Sequence, residues 1–418
     1  MGRAGRHHIV AALSQAQRNC DPVELVGGQV WDFVGSRPLF VLAVGKSALA
    51  MAHGVTGRVP VAAGLIVSPD DDGQAASGFE RIMASHPFPD QRSERAAQRA
   101  LDFVRAVPAH GVMLALISGG TSSLLAAPIA GLDVYAKVQL IRALMVAGAT
   151  ITELNTVRAA LSSVKAGGLV VDCAAPVVTW AISDVPGDDI GIIGSGPTVG
   201  DWVEVDSAMP TYTALPGAAS RVVKRFGLEV PGAVALQPLR TVPAIRRADV
   251  ARVVAPRQAL ADALALALLA NQSVIRLSLD ADIAAVAHAI AASFAKLQPG
   301  QWLVAHGEPT LRLPTSAGPG GRMRDLALRL AIELAGVPVH GLAMASDGCD
   351  GLCPAGPIAG AWFDATTVAR AEALGFDVRL CRDSAASAEI FAALADEYAP
   401  GLTGQNYADV VVLQRLPG

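Results

Sequence analysis

The chain has 418 residues, 52% of them hydrophobic and 17% charged, and a formal net charge of −4. At about 150 residues per domain this predicts two or three domains with cores large enough to cover both faces of a sheet. The mildly acidic balance leaves no basic footprint for nucleic acid, and five scattered cysteines suit a reducing, cytoplasmic setting better than a disulfide framework.

In chain order, the first apolar stretch stops at Gln15-Ala16-Gln17-Arg18 and reads as an amphipathic helix start rather than a leader. Leu39–Val44 predicts a strand, and Gly45-Lys46-Ser47 opens a helix after it. Ala63–Ser68 predicts a second strand, Ser93–Val107 a charged helix, and Val112–Ile117 a buried strand. Residues 111–132 carry no charged side chain, but the Gly119-Gly120-Thr121-Ser122-Ser123 centre and Pro128 argue against a membrane span. Leu132–Ala147 predicts a helix and Val177–Ile182 a strand, with a Gly/Pro/Asp-rich loop beyond. A composition change near 230–250 predicts a domain boundary, giving domains 1–235 and 236–418. After it, helices are expected over 259–269, 283–295 and 326–335, with strands at 274–277, 302–305, 341–345 and 410–413. Residues 359–374 read as partly helical. Strands alternating with helices predict a parallel sheet covered on both faces.

The strand end Ile117 runs into Ser118-Gly119-Gly120-Thr121-Ser122. Small residues where a strand meets a helix leave backbone N–H groups free for phosphate or carboxylate, or they serve only close packing. Gly45-Lys46-Ser47 resembles the end of a nucleotide-cradling P-loop, but the glycine that motif needs five residues earlier is Phe40. What remains is a lysine at the carboxyl end of a strand, where ligands of open parallel sheets sit. Asp184, Asp188 and Asp189 lie within six residues, and a Mg²⁺ ion relieves such crowding. Ser195 and Gly196 follow on the same loop and offer anion donors. Arg322 follows Gly318-Pro319-Gly320-Gly321 and suits paired donation to a phosphoryl or carboxylate group. Glu308 and Asp347 each stand beside a glycine after a predicted strand, as an active-site rim or as ordinary turns.

These segments, in series, resemble the glycerate 2-kinases, also called class II or MOFRL-type glycerate kinases. The resemblance rests on Val44-Gly45-Lys46-Ser47-Ala48, Ser85–Asp90, Ile117–Ser122, Asn155-Thr156-Val157-Arg158 and Lys165-Ala166-Gly167-Gly168. It continues through Ser183–Asp189, Gly194–Thr198, Gly320-Gly321-Arg322 and Ser346-Asp347-Gly348, spanning nearly the whole chain. It implies an α/β protein with a large Rossmann-like domain on a mainly parallel sheet, a smaller α/β domain, and an active site in the cleft between them. It implies ATP- and Mg²⁺-dependent phosphorylation of D-glycerate to 2-phosphoglycerate. Lys46, Arg322 and Asp184 take the catalytic positions, with Asp188 and Asp189 beside Asp184 at the metal. Ser118, Gly119, Gly120, Thr121, Ser122, Ser195, Gly196, Glu308 and Asp347 then bind nucleotide or hydroxy acid. A small-molecule acid and a nucleotide are the expected partners, with no nucleic acid and no membrane; a homodimer is an open assembly.

Three departures fall late in the chain. The usual Gly-Gly-Arg-Asn-Gln-Glu reads Met323-Arg324-Asp325 after Arg322, Gly-Glu-Thr-Thr becomes Gly307-Glu308-Pro309-Thr310, and Leu352-Cys353-Pro354 replaces an acidic run. Two other activities stand beside the kinase. A hydroxypyruvate reductase needs a Gly-x-Gly-x-x-Gly after a strand, which is missing. A non-catalytic ligand-binding paralogue is the other, since fold alone does not fix function.

Overall fold

The computed structural model describes residues 3–29, 31–69, 76–199, 215–229, 251–268, 274–314, 317–351 and 356–418. The stretch 230–250, with the expected cut between 235 and 236, and Leu352-Cys353-Pro354 lie outside the described residues. The chain divides into two compact units, residues 22–256 and residues 1–21 together with 257–418.

The unit 22–256 is built on six strands: β1 (Leu39–Val44), β2 (Ala63–Ser68), β3 (Phe79–Met83), β4 (Val112–Ile117), β5 (Val177–Ile182) and β6 (Ala251–Ala255). All pair in parallel, in the order β3-β2-β1-β4-β5-β6. Residues of β4 and β5 are buried throughout, because helices cover both faces and such strands are nearly continuous apolar runs, broken here only by Thr179. The crossover helix Gln91–Arg105 turns Ala96, Ala97, Ala100, Leu101 and Val104 inward at helical spacing. It starts where the Asp90 side chain accepts from Arg92 N at 2.8 Å, a cap that satisfies one orphan donor of the first turn. The chain leaves β1 toward β2 and β3, then returns to β4 on the other side of β1. The carboxyl ends of β1 and β4 therefore flank the point where strand order reverses, the place open α/β sheets keep for ligands.

The other unit holds β7 (Val274–Ser278), β8 (Trp302–Gly307), β9 (Val339–Met344), β10 (Gly360–Asp364), β11 (Glu397–Tyr398) and β12 (Asp409–Arg415). Their order is β11-β10-β9-β12-β8-β7, and only β7 and β8 run parallel. The alternation that predicted a parallel sheet fails here for a topological reason. The last strand, β12, enters between β8 and β9 and runs antiparallel to both. The segment expected to be partly helical from Ala359 begins as β10, paired antiparallel with β9, and turns helical only at Thr367. The helix Arg3–Asn19 belongs to this unit; Gln405 Nε2 donates to Gln17 O at 2.7 Å and Tyr407 Oη to Cys20 O at 2.7 Å. No helix among the described residues is long and apolar enough to cross a membrane.

Candidate active site

The turns after β1 and β4 are tied into one another. Gly45 N donates to Val67 O at 3.1 Å, Lys46 N to Gly119 O at 2.9 Å, and Ser47 N to the Ser118 hydroxyl at 3.1 Å. Gly45 has φ +126°, and a Cβ there would stand 2.1 Å from Ser118 Oγ and 2.7 Å from Ser118 O, so only glycine permits the approach. Thr121 Oγ1 donates within reach of Val44 O (2.9 Å) and Ser118 O (2.7 Å). The hydroxyls of Ser118 and Thr121 are thus spent inside the turn, and both residues are buried. What the turn presents is backbone: no backbone carbonyl among the described residues accepts from Gly119 or Gly120 N–H. The half-buried Lys46 side chain runs beside this backbone, its Cγ 3.5 Å from where a Gly120 Cβ would lie, with the His86 ring on the same side.

Ser122 joins the loop after β5. Its hydroxyl accepts from Ser195 Oγ at 3.1 Å, and Lys165 Nζ donates to Ser122 O at 3.1 Å, to Ser195 Oγ at 3.2 Å and to Ser122 Oγ. Ser195 and Gly196 carry left-handed φ of +64° and +57°, and their carbonyls accept from Ala166 N and Gly167 N. Upstream on this loop, Asp184 and Asp188 are partly buried, while Asp189 is exposed and turns its Oδ1 back onto Gly191 N at 2.8 Å. No three His, Cys, Asp or Glu side chains gather as a metal-holding group among the described residues.

In the other unit, Arg322 is the first residue of the helix Arg322–Glu333, which starts earlier than the expected Leu326. A cation at a helix start is electrostatically disfavoured, so something must offset it. Asp350 does so from outside the helix: its Oδ1 accepts from Met323 N and its Oδ2 from Arg324 N, each at 2.9 Å. A Cβ on Gly321 would lie 2.3 Å from Asp350 Cγ, which is why the residue before Arg322 is glycine. The Arg322 guanidinium then meets two carboxylates, Glu308 Oε2 at 3.4 Å and Asp409 Oδ2 at 3.1 Å. The Asp409 contact has charge proximity without hydrogen-bond alignment, and that buried oxygen has no directed donor. Burial pushes the Asp409 carboxyl well above the ordinary range; Arg322 pulls it down, but Glu308, Asp350 and Asp347 add repulsion. Burial opposes the Arg322 charge, yet Asp409, Glu308 and Asp350 together raise its pKa.

Glu308 is itself held. Asp280 Oδ1 accepts from Glu308 N at 2.8 Å, and the buried Arg257 grips Asp280 through two bonds of 2.6 Å. Burial acts to raise the Asp280 carboxyl, but these donors win and lower it to about 2. Asp347 stands on the turn after β9, where its Oδ1 accepts from Cys349 N at 3.0 Å.

Residues 6–226 match a domain of unknown function, DUF4147, and residues 301–409 match the MOFRL family. Human glycerate kinase is 31% identical over 90% of this chain and 84% of its own length. An Agrobacterium vitis protein provisionally named a hydroxypyruvate reductase is 34% identical, over 88% of this chain and 97% of its own. The crystal structure of glycerate kinase from Thermotoga maritima superposes with a TM-score of 0.83 at 25% identity, covering 99% of this chain and all of that one. The chain belongs to the MOFRL-type glycerate kinase family.

Two residues that bond into these groups in this glycerate kinase family member carry little signal in the sequence. Lys165 was visible only as part of a motif, and its partners lie 43 and 30 residues away. Asp409 reads as the polar start of a closing strand; its pairing with Gly307 in the β12–β8 register brings it to the Glu308 turn.

Proposed function

We propose that this protein phosphorylates D-glycerate at the 2-hydroxyl, using ATP as donor and Mg²⁺ as cofactor, in the cytoplasm. The observation that carries this reading is the lysine-bearing turn after β1 bonded to the glycine-rich turn after β4, where strand order reverses. It stands in a chain whose full-length relatives include proteins named glycerate kinase. That turn supplies a cation and open backbone donors, which suit phosphoryl or carboxylate oxygens. The same turn lacks the glycine pattern a dinucleotide needs, which weighs against a reductase.

Phosphoryl transfer proceeds through a loose transition state, so the protein's task is to position reactants and offset charge. Lys46 faces the anionic oxygens as a point charge. Arg322, restrained by Glu308 and Asp409, donates its planar fork to the transferred group or the acid's carboxylate. Asp184 orients the attacking hydroxyl and receives its proton. The loop after β5 fits a metal in its donor chemistry: Asp184, Asp188 and Asp189 offer hard oxygens, and Mg²⁺ needs only one or two protein carboxylates beside the phosphates. When bound there, Mg²⁺ neutralises charge on the phosphate oxygens.

An ATP-coupled assay with D-glycerate, read by phosphorus NMR, tests this reading. The expected product carries its phosphate on C2, and EDTA abolishes turnover. NAD(P)H oxidation with hydroxypyruvate, with no ATP-dependent product, would replace the kinase by a reductase.

A further inference from the structure

Three cations of the unit 22–256 are unaccounted for by the roles above. Lys165 is buried, its ammonium lying among Ser122 O, Ser122 Oγ and Ser195 Oγ. Lys137 is buried as well, donating to Leu161 O at 2.8 Å. Arg158 is half-buried and donates to Asn155 Oδ1 at 3.2 Å. Neither lysine forms an ion pair with a carboxylate among the described residues, and the charges that bear on Lys165 are those of Lys137 and Arg158, the latter bearing on Lys137 as well. Buried charges in proteins are ordinarily paired, because leaving water uncompensated is costly. Here like charges converge instead.

The backbone around them is unusual too. Ser195 and Ala166 hold left-handed φ of +64° and +50° without being glycine. Ala166 N donates to Ser195 O at 3.1 Å and Gly167 N to Gly196 O at 2.8 Å, which fastens the two loops together. Strain of this kind persists where surrounding structure imposes it, and it clusters at ligand clamps. Lys165 alone, with its three donors, bridges the two loops as a strut. That role does not require three cations.

We infer that Lys165, backed by Arg158 and Lys137, forms the seat of a small oxyanion that docks against Ser122 and Ser195, either the acid's carboxylate or a phosphoryl group of the nucleotide. Burial and the two neighbouring cations lower the Lys165 pKa well below its ordinary value, and Lys137 falls to about 7. A bound anion supplies the missing counter-charge to both. The identity of the anion rests on the kinase reading; the seat itself does not.

The test is thermal-shift titration of the full chain with D-glycerate, ATP and inorganic phosphate, each alone. Wild-type protein is expected to be stabilised by phosphate and by at least one substrate. In Lys165→Met and Arg158→Gln, the midpoint for phosphate and for one substrate rises at least tenfold while the other substrate's holds. The substrate that moves names the source, and its KM moves with it more than kcat does. If Lys165→Met does not fold, Arg158→Gln and Ser195→Ala decide. Wild-type midpoints for all three probes in folded variants overturn the inference, as does equal weakening for every probe in step with lost thermal stability. Should D-glycerate not be phosphorylated while the phosphate midpoint still depends on Arg158, the kinase assignment falls and the oxyanion seat stands.

Discussion

The two units treat positive charge in opposite ways. Around Lys165 in the unit 22–256, the neighbouring charges are positive, and burial and repulsion depress the lysines. Around Arg322 in the other unit, Glu308 and Asp409 touch the guanidinium and Asp350 caps its helix. The first arrangement is incomplete without an anion. The second is already neutralised, so its carboxylates restrain a side chain that would otherwise sample many rotamers. A buried cation group that lacks acidic neighbours and a guanidinium held between carboxylates thus serve different ends: the first is suited to a ligand, the second to a fixed side chain.

The sharpest way to break this contrast is Arg322→Ala. Removing a charged donor to the transition state is expected to lower kcat about a thousandfold. Steady-state kinetics showing a loss below about tenfold would reduce Arg322 to a bystander. Next comes Gly45→Ala, whose methyl must enter the space of the Ser118 carbonyl while keeping a left-handed φ. A loss of about 3 kcal/mol in urea unfolding is expected, and activity falls with the disrupted turn. An unchanged urea midpoint would mean the two turns are not locked together.

Asp409→Asn sharpens the restraint argument. It keeps the shape but takes away the ionisable carboxyl beside Arg322, so kcat should fall about tenfold with little change in KM for glycerate. Stability moves the other way. The folded Asp409 carboxyl sits above its unfolded value, so the native state holds an extra proton between the two pKa values. That contribution is complete below about pH 4 and fades as pH rises through the folded value. Chemical denaturation from pH 4 to 8 should show a flatter stability profile for Asp409→Asn than for wild type; parallel profiles would remove the titration of Asp409 from the account. The smallest effect is a control, Asp90→Ala. Losing the helix cap should cost about 1 kcal/mol in unfolding and leave kcat unchanged.

Strands β1, β2, β4 and β5 were legible to the residue because each is an apolar run between clear breakers. β3 was not, since Phe79-Glu80-Arg81-Ile82-Met83 is an edge strand with charges facing out. The helix Ile151–Ala160 carries its signal at its start alone, where Thr150 and Glu153 form a capping box. In the other unit β12 could be found but not placed, because nothing in a strand's own residues says which two neighbours it will separate. Lys46, Arg322 and the glycine-rich turn were legible as types at strand and helix ends. The inward use of the Ser118 and Thr121 hydroxyls was not, since it depends on the backbone of Val44 more than seventy residues away.

The grouping of residues 1–21 with 257–418 has a consequence for how the molecule is made. The helix Arg3–Asn19 and the Cys20 that follows it are made 388 and 387 residues before their partners Gln405 and Tyr407, so these bonds wait on a much later stretch of chain. The intervening segment is complete much earlier and can settle first, since domains generally fold as units during translation. The helix Arg3–Asn19 must therefore stay out of that process, its apolar face uncovered, until the 257–418 segment is made. Rejoining this helix directly to the 257–418 segment by circular permutation would abolish the wait, and the yield of native protein should become less sensitive to translation speed.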